Sequence, residues 1–493
     1  MIDCAHLINN KTLMQNQSLA HPPSLRIFFA TEMWERYGFY VVQTLLALYL
    51  ALHFQWDDKR IYSLVGSFTA LTYLAPVIGG WIADHLLGQK NSILVGAVVL
   101  FSSYIAISFV LTDLGLTASL AGIAVGTGLL KPNISSLLGN EYPVGSPNRE
   151  KGFTIFYMGI TTGIILGTTL PSYLNAHFGW SVSFVSAALG MVIAIGTFCF
   201  GIYHYRIKDY HPFQYQFKKI FIASLMMVSL WIAAFYILNY PTIADTVFIV
   251  VVLLSVAYLL YCVKCETPLQ ARQTIVILLL CLISVAFWAF YFQMFLSLTL
   301  FISRVVEPTL FGISFPPPYY VSVQSLGMII LGLMITRRKI DFKHPKQNII
   351  QTGNKFVYAI MFILMAYVLI AFVSRSDTSQ HLLPSLYIIP AYLMISFAEL
   401  LLSPVGLSAI TLLASPKKVS TMMGIFFVSL GIGGFLSGKL AELTAIPMGE
   451  VSIIALKHDY AASFTLLMSI LFGITLLCIT LNMCIKYLMF KSK

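Results

Sequence analysis

Four charged residues stand inside stretches that otherwise read as lipid-spanning helices: Glu32, Glu35 and Arg36 in the first stretch, and Glu399 far downstream. Lys131 stands at the end of another. A charge in hydrocarbon costs roughly 2.5–3.5 kcal/mol on insertion scales, so it is placed where it meets water, a partner or a ligand. The chemistry these residues offer is the movement of protons or charged solutes along a membrane pathway.

In TEMWERYGFYVVQ, Glu32 and Arg36 are i,i+4 on a helix and Glu32 and Glu35 are i,i+3, so all three lie close to one face. Tyr40 and Gln43 continue that stripe. One guanidinium cannot neutralise two carboxylates, and the surplus acid is a place for a proton whose occupancy responds to a nearby ligand. A structural ion pair would need only one acid. Lys131, in GTGLLKPNISSLLG, precedes Pro132, which removes a backbone donor and breaks or kinks a helix. It either lines a cavity at the kink or snorkels to the interface. Glu399, in YLMISFAELLLSPVGLS, lies deep in its span, where a carboxylate could receive an ammonium group. Cations in one half and an acid in the other would make a dipolar cavity. It suits a zwitterion whose carboxylate meets Arg36 and Lys131 and whose ammonium meets Glu399. Asp84, in GGWIADHLLG, sits among glycines that allow close helix approach and reads as a gating hinge. Lys439 and Glu442 are i,i+3 and are expected to pair with each other, with external gating as their functional reading.

The elements that must position these groups follow from composition. The chain has 493 residues, 58% hydrophobic and 10% charged, with mean hydropathy +0.84. Soluble domains carry roughly 25% charged residues. The fold class is therefore an all-α polytopic membrane protein. At roughly 20 apolar residues per crossing, about fourteen spans fit the sequence. They parse into an N-terminal tail at 1–26, a six-helix bundle at 27–203, a basic loop with two extra transmembrane helices at 204–272, a second six-helix bundle at 273–488, and a tail at 489–493. Most of the 30 Lys and Arg fall on one side if both termini are cytoplasmic, with only Lys59, Arg60, Arg304, Arg375 and Lys457 outside.

Other classes find little support. The basic runs RRKIDFKHPKQ and HYRIKDYHPFQYQFKK are inside loops rather than a nucleic-acid surface. No Walker A lysine loop points to ATP-driven transport. Cys262 and Cys265 form a CxxC without a second pair or a nearby His, so no metal is expected. The His residues fall mostly near loops. The N-terminal segment lacks the apolar core of a cleavable signal. No HExxH, Ser–His set or paired intramembrane aspartates suggest an enzyme.

At these residues the chain resembles the proton-dependent oligopeptide transporter (POT/PTR) family of the major facilitator superfamily, from about residue 26 to 485. Glu32, Glu35, Arg36 and Tyr40 match its first-helix ExxER…Y motif. GGWIADHLLG matches the second-helix signature, GTGLLKPNIS the fourth, and FYMGITTG the fifth in part. FAELLLSPVGL and PKKVSTMMGIFF fit the tenth and eleventh. The two extra central helices are similar to those of bacterial members. The resemblance implies a monomeric, multi-pass protein of the bacterial inner membrane, a major facilitator fold, and inward co-transport of di- or tripeptides with protons by alternating access. No cofactor is implied beyond the proton as coupling ion.

Residue by residue, the resemblance puts Glu32, Glu35, Arg36 and Lys131 in the proton-coupling places. It puts Arg36, Tyr40, Gln43, Tyr73, Lys131, Thr161, Gln293, Gln324 and Glu399 at the substrate, and Asp84, Lys439 and Glu442 at the gates. The chain departs from the family where Thr161 stands for Asn, where Gly327-Met328 stands for Asn-Pro after Gln324-Ser325-Leu326, where Phe292 stands for an acid before Gln293, and where Gln43 stands for a second arginine. Another small zwitterion or anion as substrate, or a non-transporting peptide-binding protein, are the competing readings.

Overall fold

In lipid every backbone N–H and C=O must be satisfied within its own segment, which leaves helices as the spanning element for a chain of this composition. The computed structural model describes residues 21–142, 148–207, 209, 216–336, 345–377, 379–415, 418–447, 449 and 452–490. Most of the N-terminal tail, much of the two basic runs, Pro416 and Lys417 of PKKVSTMMGIFF, and the last three residues lie outside the described residues.

The helices are α1 (Leu25–Leu52), α2 (Asp58–Ile82, extended by a π turn Ala83–Leu87), α3 (Gln89–Ser108), α4 (Asp113–Asn140), α5 (Asn148–Phe178) and α6 (Trp180–Tyr205). The extra pair is α7 (Phe217–Asn239) and α8 (Pro241–Cys265). Then come α9 (Pro268–Tyr291), α10 (Ser297–Val305), α11 (Pro318–Thr336), α12 (Pro345–Ser376), α13 (Ile389–Leu413), α14 (Val419–Glu442) and α15 (Ile453–Phe490). A short antiparallel pair, β1 (Thr309–Leu310) and β2 (Ile313–Ser314), follows α10. Among the described residues, twelve segments are long and apolar enough to cross a membrane, α9 and α10 counting as one. The charged α1 and the shorter α11 bring the crossings to fourteen.

Starts follow local chemistry. Thr112 caps α4 by accepting from the Gly115 N–H, Thr267 caps α9, and Pro241 and Pro268 take first-turn positions where no N–H is needed.

Pro132 stands inside a helix rather than at its end: α4 runs through it to Asn140. The segment that starts at Pro268 is broken by a 3-10 turn at Phe292–Phe295, after which Leu296 leaves helical geometry at φ −122°, ψ −101°. Local side-chain hydrogen bonds span that break. Thr299 Oγ1 donates to the Met294 carbonyl at 2.7 Å, and Ser297 Oγ donates to Gln293 Oε1 at 2.6 Å.

Contacts divide the chain into two compact units, Met1–Val41 with Ala75–Trp231, and Val42–Leu74 with Ile232–Lys493. In the second unit, Gly66 of α2 packs against Gly438 of α14, where a Cβ at either would come within 3.1 Å of the other's backbone. That contact binds the first half of α2 to the later helices.

Candidate functional site

α1 carries the densest charge at membrane depth, and α5 fixes where it lies. Gly159, Gly163 and Gly167 recur every four residues on α5, and each faces a carbonyl of α1. A Cβ at Gly159 would lie 2.8 Å from the Phe29 oxygen, and one at Gly167 would lie 2.7 Å from the Tyr37 oxygen. At Gly163 it would overlap the Met33 carbonyl and reach 2.8 Å from the Arg36 Cβ. Such a row lets backbones touch, which is the main source of helix affinity in a bilayer.

So held, Glu32, Glu35 and Arg36 are all buried, at 2%, 0% and 4% exposure. Glu35 takes Arg36 with both oxygens: Oε1 accepts from Nη2 at 2.6 Å and Oε2 accepts from Nε. This is the bidentate fork that arginine favours. Glu32 is the looser partner, with Oε1 3.3 Å from Nε. Its Oε2 is buried and has no hydrogen-bond partner among the described residues. The guanidinium also lies 5.1 Å from the Phe39 ring centroid.

Lys131 of α4 lies within electrostatic reach of Glu32, Glu35 and Arg36, so the four expected proton-coupling residues share one neighbourhood. Pro132 leaves the Gly128 carbonyl without its helical donor, and Gly79 of α2 backs onto that carbonyl so closely that a Cβ would overlap it. Asn133 Nδ2 donates to the Leu129 carbonyl at 2.6 Å. Tyr40, half-buried, acts electrostatically on Arg36. Thr161 lies on α5 between Gly159 and Gly163, where its hydroxyl donates to the Tyr157 carbonyl at 3.1 Å.

In the second unit, Glu399 of α13 receives Tyr291 Oη at 2.7 Å and Gln324 Nε2 at 2.6 Å, both on Oε2. Tyr73 packs on Phe292 with ring centroids 5.5 Å apart, an aromatic contact where an acid was the family expectation. Gln43 donates to Thr69 Oγ1 at 3.1 Å. Gln293, expected at the substrate, is fully buried and spends its amide on helix packing. Its Nε2 donates to the Ser437 carbonyl of α14 at 2.7 Å and its Oε1 accepts from Ser297.

Asp84 is exposed on the π turn, with no hydrogen-bond partner among the described residues. Lys439 pairs with Glu442 as expected, at 3.7 Å, and has a second and nearer acid in Asp245 of α8, at 2.8 Å. Sequence reasoning assigned no role to Tyr291, Asp245, Asp58 or Arg304. Asp58 and Arg304 form a bidentate pair at 2.6 and 2.7 Å, with Asp58 also accepting from the Ile446 N–H at 3.0 Å and Arg304 donating to Tyr460 Oη at 2.9 Å. Near span ends, such charges read as loop residues, and no spacing rule connects positions so far apart in sequence.

A family model described as the POT family matches residues 90–456. The dipeptide and tripeptide permease A of Edwardsiella piscicida is 30% identical over 457 residues, 90% of this chain and 91% of that one. That of Chromobacterium violaceum is 30% identical over 91% of this chain and 90% of its own. A structure solved for substrate recognition in proton dependent oligopeptide transporters superposes with TM-score 0.80 at 25% identity, covering 94% of this chain and 99% of that one. A crystal structure of tetrameric PepTSo2 gives 0.82 at 24% identity over 94% of this chain and 99% of its own, a likeness of fold.

Proposed function

The chain belongs to the POT family, and from that premise we propose that it imports di- and tripeptides together with protons by alternating access. The observation that carries the reading is the buried cluster of two acids around one guanidinium in α1. Glu35 neutralises Arg36 by a closed fork, which leaves Glu32 as the surplus acid. Its unpartnered oxygen is the place where the coupling proton sits. The peptide carboxylate binds Arg36 and Lys131, displacing negative charge from around the guanidinium, and its ammonium binds Glu399. Proton and peptide are coupled because each alters the charge balance at Arg36 and Lys131. Tyr40, Gln43, Tyr73 and Thr161 line the substrate's path. Asp84, Lys439 and Glu442 act at the gates, Lys439 through Asp245 as well. The protein works as a monomer in the bacterial inner membrane with both termini cytoplasmic, the orientation that puts most Lys and Arg inside.

Dialanine uptake into proteoliposomes under an imposed inward proton gradient tests this. Uptake should rise with the gradient and collapse with an uncoupler. No uptake by folded protein would sink the peptide reading.

A further inference from the structure

Glu399 is gripped from two helices at once. Tyr291 closes α9 where the helix gives way to the 3-10 turn, and Gln324 comes from α11. Both donate to the same oxygen, Oε2. Neither donor is charged, and among the described residues Glu399 has no ion pair and its Oε1 has no donor. A membrane-depth carboxylate left with two neutral donors on one side waits for a cation on the other.

The grip is built by its surroundings. The Tyr291 ring lies against Phe287, Trp288 and Phe292, with centroids 5.7, 4.9 and 5.6 Å away. Gln324 is fixed through its own carbonyl, which accepts from Ser396 Oγ of α13 at 2.7 Å. One turn on, a Cβ at Gly327 would lie 2.6 Å from that same Ser396 Oγ. Glycine at 327 therefore lets α11 approach α13 closely enough for Gln324 to reach Glu399.

We propose that Tyr291 and Gln324 are positioning residues that set this site's specificity for a primary ammonium. By holding Oε2 from two directions they fix the carboxylate plane and present Oε1 to the ligand's N-terminus. Preorganisation of this kind removes the cost of ordering the acid on binding. The inference rests on the peptide-symport reading above.

The test compares wild type with Tyr291→Phe and Gln324→Leu in proteoliposomes. It reads the half-saturation concentration and maximal rate for dialanine, and inhibition by N-acetyl-dialanine, which lacks the ammonium. Each variant should raise half-saturation for dialanine about tenfold, the worth of one hydrogen bond to a charged group. The maximal rate and the inhibition by the acetylated peptide should stay unchanged. In a Glu399→Gln background either substitution should add nothing. Equal shifts for both peptides, a fall in maximal rate alone, or full additivity with Glu399→Gln would overturn the proposal. If wild type itself takes up no dialanine, the symport reading fails, and that arm reports it without any variant.

Discussion

Glu32 and Glu35 are three residues apart on one buried face, yet they do different things. Helical spacing nominates Glu32 as the ion-pair partner of Arg36, because i,i+4 side chains face each other and neighbours do not. Burial reverses the order. With water excluded, the long side chains of Glu35 and Arg36 fold onto each other and complete a two-point fork, while Glu32 keeps one contact at 3.3 Å. The sequence made the cluster legible, but not which acid closes it, since that depends on desolvation rather than period. Glu32→Gln should therefore abolish gradient-driven dialanine uptake while leaving counterflow exchange of dialanine and thermal stability near wild type. Glu35→Gln should lower stability by on the order of 3 kcal/mol, because it leaves a buried guanidinium with its weaker partner. Exchange assays and melting curves on both variants separate the roles. Loss of exchange in Glu32→Gln would show that this acid binds peptide rather than the driving proton.

α5 decides where the cluster stands. The row Gly159, Gly163, Gly167 meets the carbonyls of Phe29, Met33 and Tyr37 in register, one contact per turn. FYMGITTG was recognisable in the sequence, but a glycine row announces that some helix comes close without naming which one or in what register. The break after α9 was hidden for a related reason. The span is largely apolar, and the long-range bond of Gln293 to α14 with the local bond of Thr299 to the Met294 carbonyl mark where its ladder is interrupted. Gly163→Ala should push α1 off α5 at the Arg36 turn, costing about 1–3 kcal/mol as overpacking does and lowering proton-driven uptake disproportionately. Gly196→Ala and Gly473→Ala, which meet nothing within 4 Å, are the controls and should leave both readouts unchanged. Wild-type uptake in Gly163→Ala would mean the register of α1 on α5 is not what sets the site.

Across the whole molecule, contacts cut through the helices that the chain order groups together. The number of crossings and the extra pair were legible from hydropathy, whereas which helix faces meet was not, because that depends on packing rather than on period. The boundary falls within α7, whose residues up to Trp231 belong to the first unit and whose end belongs with α8 to the second. Trp231 of α7 donates to the Ala118 carbonyl at 3.0 Å, and Ala223 packs with Ile82, Leu87, Val125 and Leu129. α8 is tied to α14 near both ends, by Asp245–Lys439 and Glu266–Lys418 at 2.8 Å each, with Phe248 stacked on Phe435. The first half of α2 is likewise tied to later helices, and on the proposed orientation this is its outer half. Asp58 holds that seam. It is 3% exposed and takes Arg304 of α10 with both oxygens and the Ile446 N–H beyond α14, while Arg304 reaches Tyr460 of α15. Removing one partner of such a pair leaves a poorly hydrated charge and typically costs about 3–5 kcal/mol, whereas the pair itself contributes far less than that. Asp58→Asn should therefore loosen the outer seam. Tyr62, fully buried four residues along α2, is the reporter. A Tyr62→Cys protein should resist a membrane-impermeant thiol reagent from outside, and the same protein carrying Asp58→Asn should label. Exchanging the charges, Asp58→Arg with Arg304→Asp, should restore part of the protection, since the Ile446 N–H then loses its acceptor. Protection that survives Asp58→Asn would mean that the glycine contact of α2 with α14 closes this end without help from the ion pair.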